Sequence, residues 1–201
     1  MRELTLYLCR HGDTEWSAQR RLAGHTNLPL IERGEQNARQ LGQRLSAVSF
    51  DRVLVSPLAR ARRTAVLAGV GTSAEVDERL LEMDFGRYDG RTVEEIRRER
   101  PGWTYLRDGC PGGEGPADIG HRADALLADL EAMSGNVALF AHSVILRVVA
   151  ARFLGLAPGD GRMFMLSPGA LSILAYDNVD DARAIASWND RQHLIGQTSF
   201  A

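Results

Sequence analysis

The 201-residue chain has no lysine; all 24 of its basic residues are arginine. This excludes mechanisms built on a lysine, including Schiff-base chemistry and Walker-type phosphate loops. Every fixed cation is a guanidinium, suited to bidentate contacts with phosphate or carboxylate. Cysteine is nearly absent: Cys9 and Cys110 stand far apart and make neither a disulfide framework nor a zinc knuckle. No metal site is expected. No apolar stretch approaches the ~18 residues of a membrane span, so none is expected. The chain opens Met-Arg-Glu and enters an apolar strand at once, without the charged-then-apolar run of a signal peptide. A reducing, cytoplasmic setting is the expectation. There is no basic excess either: the formal net charge is −2, which argues against extended nucleic-acid binding. Repeats and low-complexity tracts are missing.

What remains is ordinary globular composition, 44% apolar and 25% charged. A chain of this length buries roughly 70% of its unfolded surface and can hold a rigid site. We read 1–201 as a single domain. Apolar runs suited to strands fall at 4–9, 52–55, 136–141, 171–176 and 183–188, with helical patterns near 32–47, 57–68, 116–133 and 143–155. This alternation predicts an α/β fold: a three-layer α/β/α sandwich around a largely parallel sheet. The last two strands, joined by the polar loop 177–181, read as an antiparallel hairpin at one edge. The segment 83–115 is rich in glycine and proline around a short charged helix at 92–100. It is long for a connection and reads as a lid insertion.

Three strands end in polar clusters: Arg10-His11-Gly12, Ser56-Pro57 and His142-Ser143. In open α/β sheets ligands bind beyond the carboxyl ends of the strands. The pattern therefore brings Arg10, His11, Arg60 and His142 to one rim. Helices starting near Pro57 and Ser143 would aim free N–H groups at the same place, with Ser56 as N-cap, Pro57 as first helical residue and Arg60 about one turn in.

Two histidines, two arginines and a carboxylate suit phosphoryl transfer. Arginines match the charge spread over the equatorial oxygens. A neutral histidine is a competent nucleophile. The leaving alkoxide needs a proton from a nearby carboxylic acid. From the residues alone Glu82, flanked by Leu81 and Met83, competes with Asp84 and Asp13 for that role.

Arg10-His11-Gly12-Asp13-Thr14-Glu15-Trp16 resembles the signature of the histidine phosphatase superfamily, in its phosphoglycerate-mutase-like branch. The resemblance continues in order through 24–30, Ser56-Pro57-Leu58-Ala59-Arg60-Ala61, 81–90, Ala141-His142-Ser143 and Leu146-Arg147, nearly the whole chain. It implies that His11 becomes phosphohistidine, that Arg10, Arg60 and His142 bind the phosphoryl group, and that Glu82 protonates the leaving oxygen and then activates water. It implies no metal or organic cofactor. Ser17 stands where asparagine is common and Ser143 where glycine is usual; each can donate a hydroxyl to phosphate. Ala23 replaces a usually polar residue, and Gly115 a serine.

The lid stretch Leu106–Glu114 looks like that of sedoheptulose-bisphosphatase-like and acid-phosphatase-like members. A phosphatase acting on a small phosphorylated metabolite, such as a sugar phosphate, is the leading expectation. A phosphoglycerate-type mutase and a non-catalytic phospho-ligand binder are the alternatives. The mutases of this branch carry a lysine and paired arginines in the lid; here Arg97-Arg98 sits in a charged helix and reads as a solvated face. His25, His121 and His193 read as structural or surface residues, Cys9 as an inert buried thiol, and Arg147 as an ion-paired helix residue. Phe85, Tyr88, Trp103 and Tyr105 either wall the site or pack the lid. A homodimer is common in such folds, but no interface pattern is legible.

Overall fold

Strand β1 (Leu4–Arg10) sets the layering. Its alternate side chains point to opposite faces: Leu4, Leu6 and Leu8 join one buried apolar cluster, and Cys9 joins the other. Strand β4 (Gly135–Ala141) divides likewise, Val137 and Leu139 to the first cluster and Ala138 and Phe140 to the second. The computed structural model describes residues 3–177 and 179–194.

After β1 come a single helical turn, α1 (Glu15–Ala18), then α2 (Glu32–Leu45), β2 (Arg52–Val55), α3 (Ala59–Leu67) and β3 (Ala74–Val76). The segment 83–115 holds α4 (Val93–Glu99) and α5 (Tyr105–Asp108). The chain continues through α6 (Pro116–Leu130), β4, α7 (Ser143–Phe153), β5 (Leu171–Tyr176) and β6 (Arg183–Asp190). The sheet order is β3-β2-β4-β1-β5-β6. Strands β3, β2, β4 and β1 are mutually parallel, and β5 runs antiparallel to both β1 and β6. Helices α6 and α7 pack their apolar stripes on one face, and α2 and α3 on the other. The expected α/β sandwich with an antiparallel edge is therefore present. Strand β3 was not anticipated: its three residues, Ala-Glu-Val, carry no apolar run. In the 177–181 turn, Asn178 lies outside the described residues. Among the described residues no helix is long and apolar enough to cross a membrane.

The segment 83–115, read as a lid insertion, buries Met83, Phe85, Tyr88, Ile96, Trp103 and Leu106 in the same cluster as α6 and α7. One expectation about the connections needs correcting. Helix α3 begins at Ala59 rather than Pro57. The Ser56 hydroxyl is drawn instead to His142 Nε2, 2.7 Å away. Asn27 Oδ1 accepts the Ala59 N–H at 2.8 Å and supplies the missing cap. Arg60 is therefore the second helical residue, not one turn in.

The loop after β1 lies hard against α2. A Cβ on Gly12 would fall 2.2 Å from the Gly34 carbonyl oxygen, and one on Gly34 would fall 2.1 Å from that of Asp13. Backbone meets backbone here, so neither site tolerates a side chain without a shift. We predict that Gly34→Ala lowers unfolding free energy by about 1–3 kcal/mol in urea titrations, because it forces the loop after β1 away from α2.

Candidate active site

The rim at the carboxyl ends of the parallel strands gathers the expected residues. Arg10 closes β1, and His11 follows with its backbone N–H on the Ala141 carbonyl at 3.0 Å. His11 Nδ1 lies 2.7 Å from the Gly12 carbonyl oxygen. A carbonyl only accepts, so Nδ1 carries the proton and Nε2 keeps its lone pair. The His142 ring lies behind it, with centroids 5.1 Å apart. Arg60 Nε donates to His142 Nδ1 at 3.0 Å. Guanidinium only donates, so His142 carries its proton on Nε2 and donates it to Ser56 Oγ. Both imidazole tautomers are thus set by their neighbours.

Arg60 is fully buried, and its other donors bond backbone carbonyls: Nη1 to Thr26 at 2.8 Å, Nη2 to Ala23 at 3.1 Å and to Gly24 at 2.8 Å. Asp89 in turn accepts the Gly24 N–H at 2.7 Å and the Thr26 hydroxyl, fixing this turn. Burial, then the Arg60 and Arg10 charges, hold His11 well below the ordinary imidazole value. Burial first, with Arg60, His11 and Arg10 behind it, does the same to His142. Burial lowers Arg10 to about 10 against the opposing charges of Glu82 and Asp13, so it remains a cation at neutral pH.

A cavity of about 180 Å³ is lined by Arg10, His11, Ser17, Ala23, Glu82, Phe85, Tyr105 and Ser143, among others. Of the three competing carboxylates only Glu82 shares it with His11. Asp13 is tied to α2 through Arg33 at 2.6 Å and Asn37 at 2.9 Å. Asp84 is turned to the Gly86 N–H at 2.8 Å. The apolar flanks of Glu82 do not describe its carboxyl surroundings. Oε1 accepts from the backbone N–H groups of Met83 at 2.9 Å, Val144 at 3.1 Å and Ile145 at 3.0 Å, and Oε2 from Val144 at 3.0 Å. Two of the donors that were expected to face the ligand at the start of α7, the Val144 and Ile145 N–H groups, are thus occupied by this side chain, as the Ala59 N–H of α3 is by Asn27. Oε2 takes one of the carboxyl's bonds against three on Oε1.

The structure does not place every expected residue on the cavity wall. Arg60 and His142 stand behind it. Ser17 lines it, but its hydroxyl bonds the Thr14 backbone, 2.9 Å from N and 3.0 Å from O, in a reciprocal helix cap. Ser143 also lines it, with Oγ 3.5 Å from the Leu166 carbonyl. Of the four aromatic candidates Phe85 and Tyr105 reach the wall, while Tyr88 and Trp103 pack edge-to-face 4.9 Å apart. Arg147 makes no ion pair among the described residues. It bonds the Gly161 carbonyl at 2.9 Å and the Tyr105 hydroxyl at 2.7 Å. Arg20, exposed on the rim, went unremarked in the sequence, because nothing in its spacing marks it.

Residues 6–191 match the model of the histidine phosphatase superfamily (branch 1). The chain belongs to that superfamily. It is 36% identical over 182 residues to an acid phosphatase of Mycobacterium tuberculosis, covering 89% of each chain. It is 34% identical to a probable phosphoglycerate mutase, GpmB, of Salmonella choleraesuis, covering 86% of this chain and 85% of that one. A solved structure of the Mycobacterium tuberculosis open reading frame Rv3214 superposes with a TM-score of 0.88 at 34% identity, covering 94% of this chain and 98% of that one. The protein is a phosphatase of the histidine type.

Because His11 and His142 are held neutral when folded and protonate readily when unfolded, the unfolded state binds more protons below the ordinary imidazole value. Their contribution to stability is therefore complete above about pH 6.5 and is lost on acidification. We predict that unfolding free energy falls from pH 6.5 downward, at up to about 1.4 kcal/mol per pH unit for each histidine. His142→Asn is expected to flatten that slope in denaturant titrations run across the range.

Proposed function

We propose that the enzyme hydrolyses a small phosphorylated metabolite, without a metal, through a phosphoryl group carried on His11. The observation that carries this reading is the His11–Gly12 hydrogen bond. It puts the ring proton on Nδ1 and leaves the Nε2 lone pair free, while burial and the Arg60 and Arg10 charges keep the ring neutral, in a cavity shared with a guanidinium and a carboxyl group. Nε2 attacks phosphorus, and the ester P–O bond breaks. Glu82 Oε2 gives its proton to the departing oxygen. The resulting carboxylate then takes a proton from water, whose oxygen attacks phosphorus; the N–P bond breaks and His11 is restored. Arg10 neutralises the phosphoryl oxygens. His142 shifts its Nε2–H from Ser56 to one of them, and Arg60, with a fifth N–H beyond its four bonds, holds His142 for that exchange and adds positive charge. Ser17 and Ser143 line the same wall and offer hydroxyls after small rotations.

The relative named a mutase favours a second reading, in which the phosphoryl group passes to another hydroxyl instead of water. The lid arginines do not support it. Arg97 bonds the Trp103 carbonyl at 2.9 Å and Arg98 pairs with Glu94 at 2.7 Å, and neither lines the cavity.

His11→Ala is expected to abolish phosphate release from an aryl phosphate. Glu82→Gln should lower kcat by about 10²–10⁴-fold and, with a substrate whose leaving group needs no proton, accumulate an acid-labile phosphoenzyme. A chelator should leave the rate unchanged. Activity surviving in His11→Ala, or lost to the chelator, overturns the reading. Isomerisation of 3-phosphoglycerate without free phosphate would instead establish the mutase.

A further inference from the structure

Glu82 sits in a stretch, 81–85, that belongs to no helix or strand and follows a single 3₁₀ turn at Glu78–Leu80. Its backbone carbonyls have no ladder to join, and buried carbonyls need donors from elsewhere. One side chain supplies most of them. Arg122, on α6, donates Nη1 to the carbonyls of Arg79 at 2.8 Å and Leu81 at 2.9 Å, and Nη2 to that of Glu82 at 3.3 Å. Its remaining donors go to Glu114 as a fork: Nε to Oε1 and Nη2 to Oε2, each at 2.8 Å. All five guanidinium N–H groups are thereby used. Glu114 closes the bracket on the other side of Glu82. Its Oε2 accepts the Asp84 N–H at 2.8 Å, and its own N–H bonds the Asp84 carbonyl at 2.8 Å. The approach is backbone on backbone, since a Cβ on Gly113 would fall 2.3 Å from that carbonyl oxygen. His25 Nε2 adds a second bond to the Glu82 carbonyl at 3.0 Å.

Neither Arg122 nor Glu114 lines the reactive cavity, or the larger hollow of about 540 Å³ that opens beside it against residues 165–168. Both stand outside the space a substrate would fill. What the pair holds is the root of Glu82. The carboxyl end of that residue rests on the N–H groups that open α7, and its backbone end is fastened to α6 and to the returning lid. The reach of the carboxyl toward a departing oxygen is set between these two anchors. The paired side chains are only 22% and 18% exposed, so salt and solvent screen them little. Resting on the phosphatase reading, we propose that Arg122, braced by Glu114, is a positioning residue for Glu82. It sets where the carboxyl meets the leaving oxygen, and it ties that position to the seating of the lid.

The test uses two leaving groups of different demand, on the full chain. Phenyl phosphate releases an oxygen that needs a proton; 2,4-dinitrophenyl phosphate releases one that does not. For both, kcat/KM reads the step that forms the phosphoenzyme. Both are measured on one preparation, so any unfolded fraction cancels in their ratio. Arg122→Gln is expected to lose about ten- to a hundredfold more on phenyl phosphate than on the dinitrophenyl ester, the cost of a misplaced catalytic group. Glu114→Gln should split the two in the same direction. In a Glu82→Gln background, where the acid is already gone, Arg122→Gln should widen the ratio no further. Equal losses on both esters, no loss on either, or a full split that persists without Glu82 overturns the assignment. Where Arg122→Gln gives no folded protein, Glu114→Gln decides by the same criteria. If Glu82→Gln alone leaves the ratio unchanged, the acid role of Glu82 falls and this inference falls with it. If Glu82→Gln splits the pair and neither bracket variant does, the phosphatase reading stands and the positioning role alone fails.

Discussion

A buried cation without a carboxylate partner organises this active site. Arg60 lies at the start of α3 with three backbone carbonyls and an imidazole nitrogen as its acceptors, so peptide dipoles take the place of a counter-ion. Dipoles satisfy the guanidinium hydrogen bonds but leave its charge uncancelled, and that charge acts on whatever is close. His11 and His142 are close, and burial first, with this charge behind it, drives both toward the neutral form. The turn at 23–27, fixed by Asp89, is therefore as much a part of the chemistry as the histidines are.

The fold was legible because its signals are periodic. Alternation in Leu4–Cys9 and Val137–Ala141 assigned two faces, and the helical stripes between strands assigned the layers. Strand β3 escaped because three residues beside a better-marked strand have no pattern of their own; pairing with β2 makes them a strand. The start of α3 was misplaced for a related reason. Ser56-Pro57 is a strong local opening, but a hydrogen bond from His142, 86 positions away, claims the serine hydroxyl. Local capping rules lose when a distant side chain offers a better partner.

The candidate site divides in the same way. His11, Arg10, Arg60, His142 and Glu82 stand out as an ordered set of motifs, and the fold brings them to one rim. Invisible in the chain was what each one bonds. Glu82 reads as a carboxyl between apolar neighbours, yet its oxygens sit on the N–H groups that open α7. Arg147 reads as one half of an ion pair, yet a carbonyl and a phenol hold it. Side-chain identity survives reading from sequence; the choice among rival acceptors is made only when the layers close.

The antiparallel strand at the sheet edge has its own consequence. Because β5 runs against β1, it begins where β1 ends, with Leu171 opposite Cys9. The loop leading into it, Met165–Gly169, is thereby delivered to the reactive rim by a strand that carries none of the reacting groups. Gly169 even donates its N–H to the His11 carbonyl at 3.0 Å. The candidate catalytic groups and part of the neighbouring cavity wall are thus written on different stretches of chain that meet in space. Such a division lets descendants of one ancestor drift in diet while keeping the same bond-breaking apparatus.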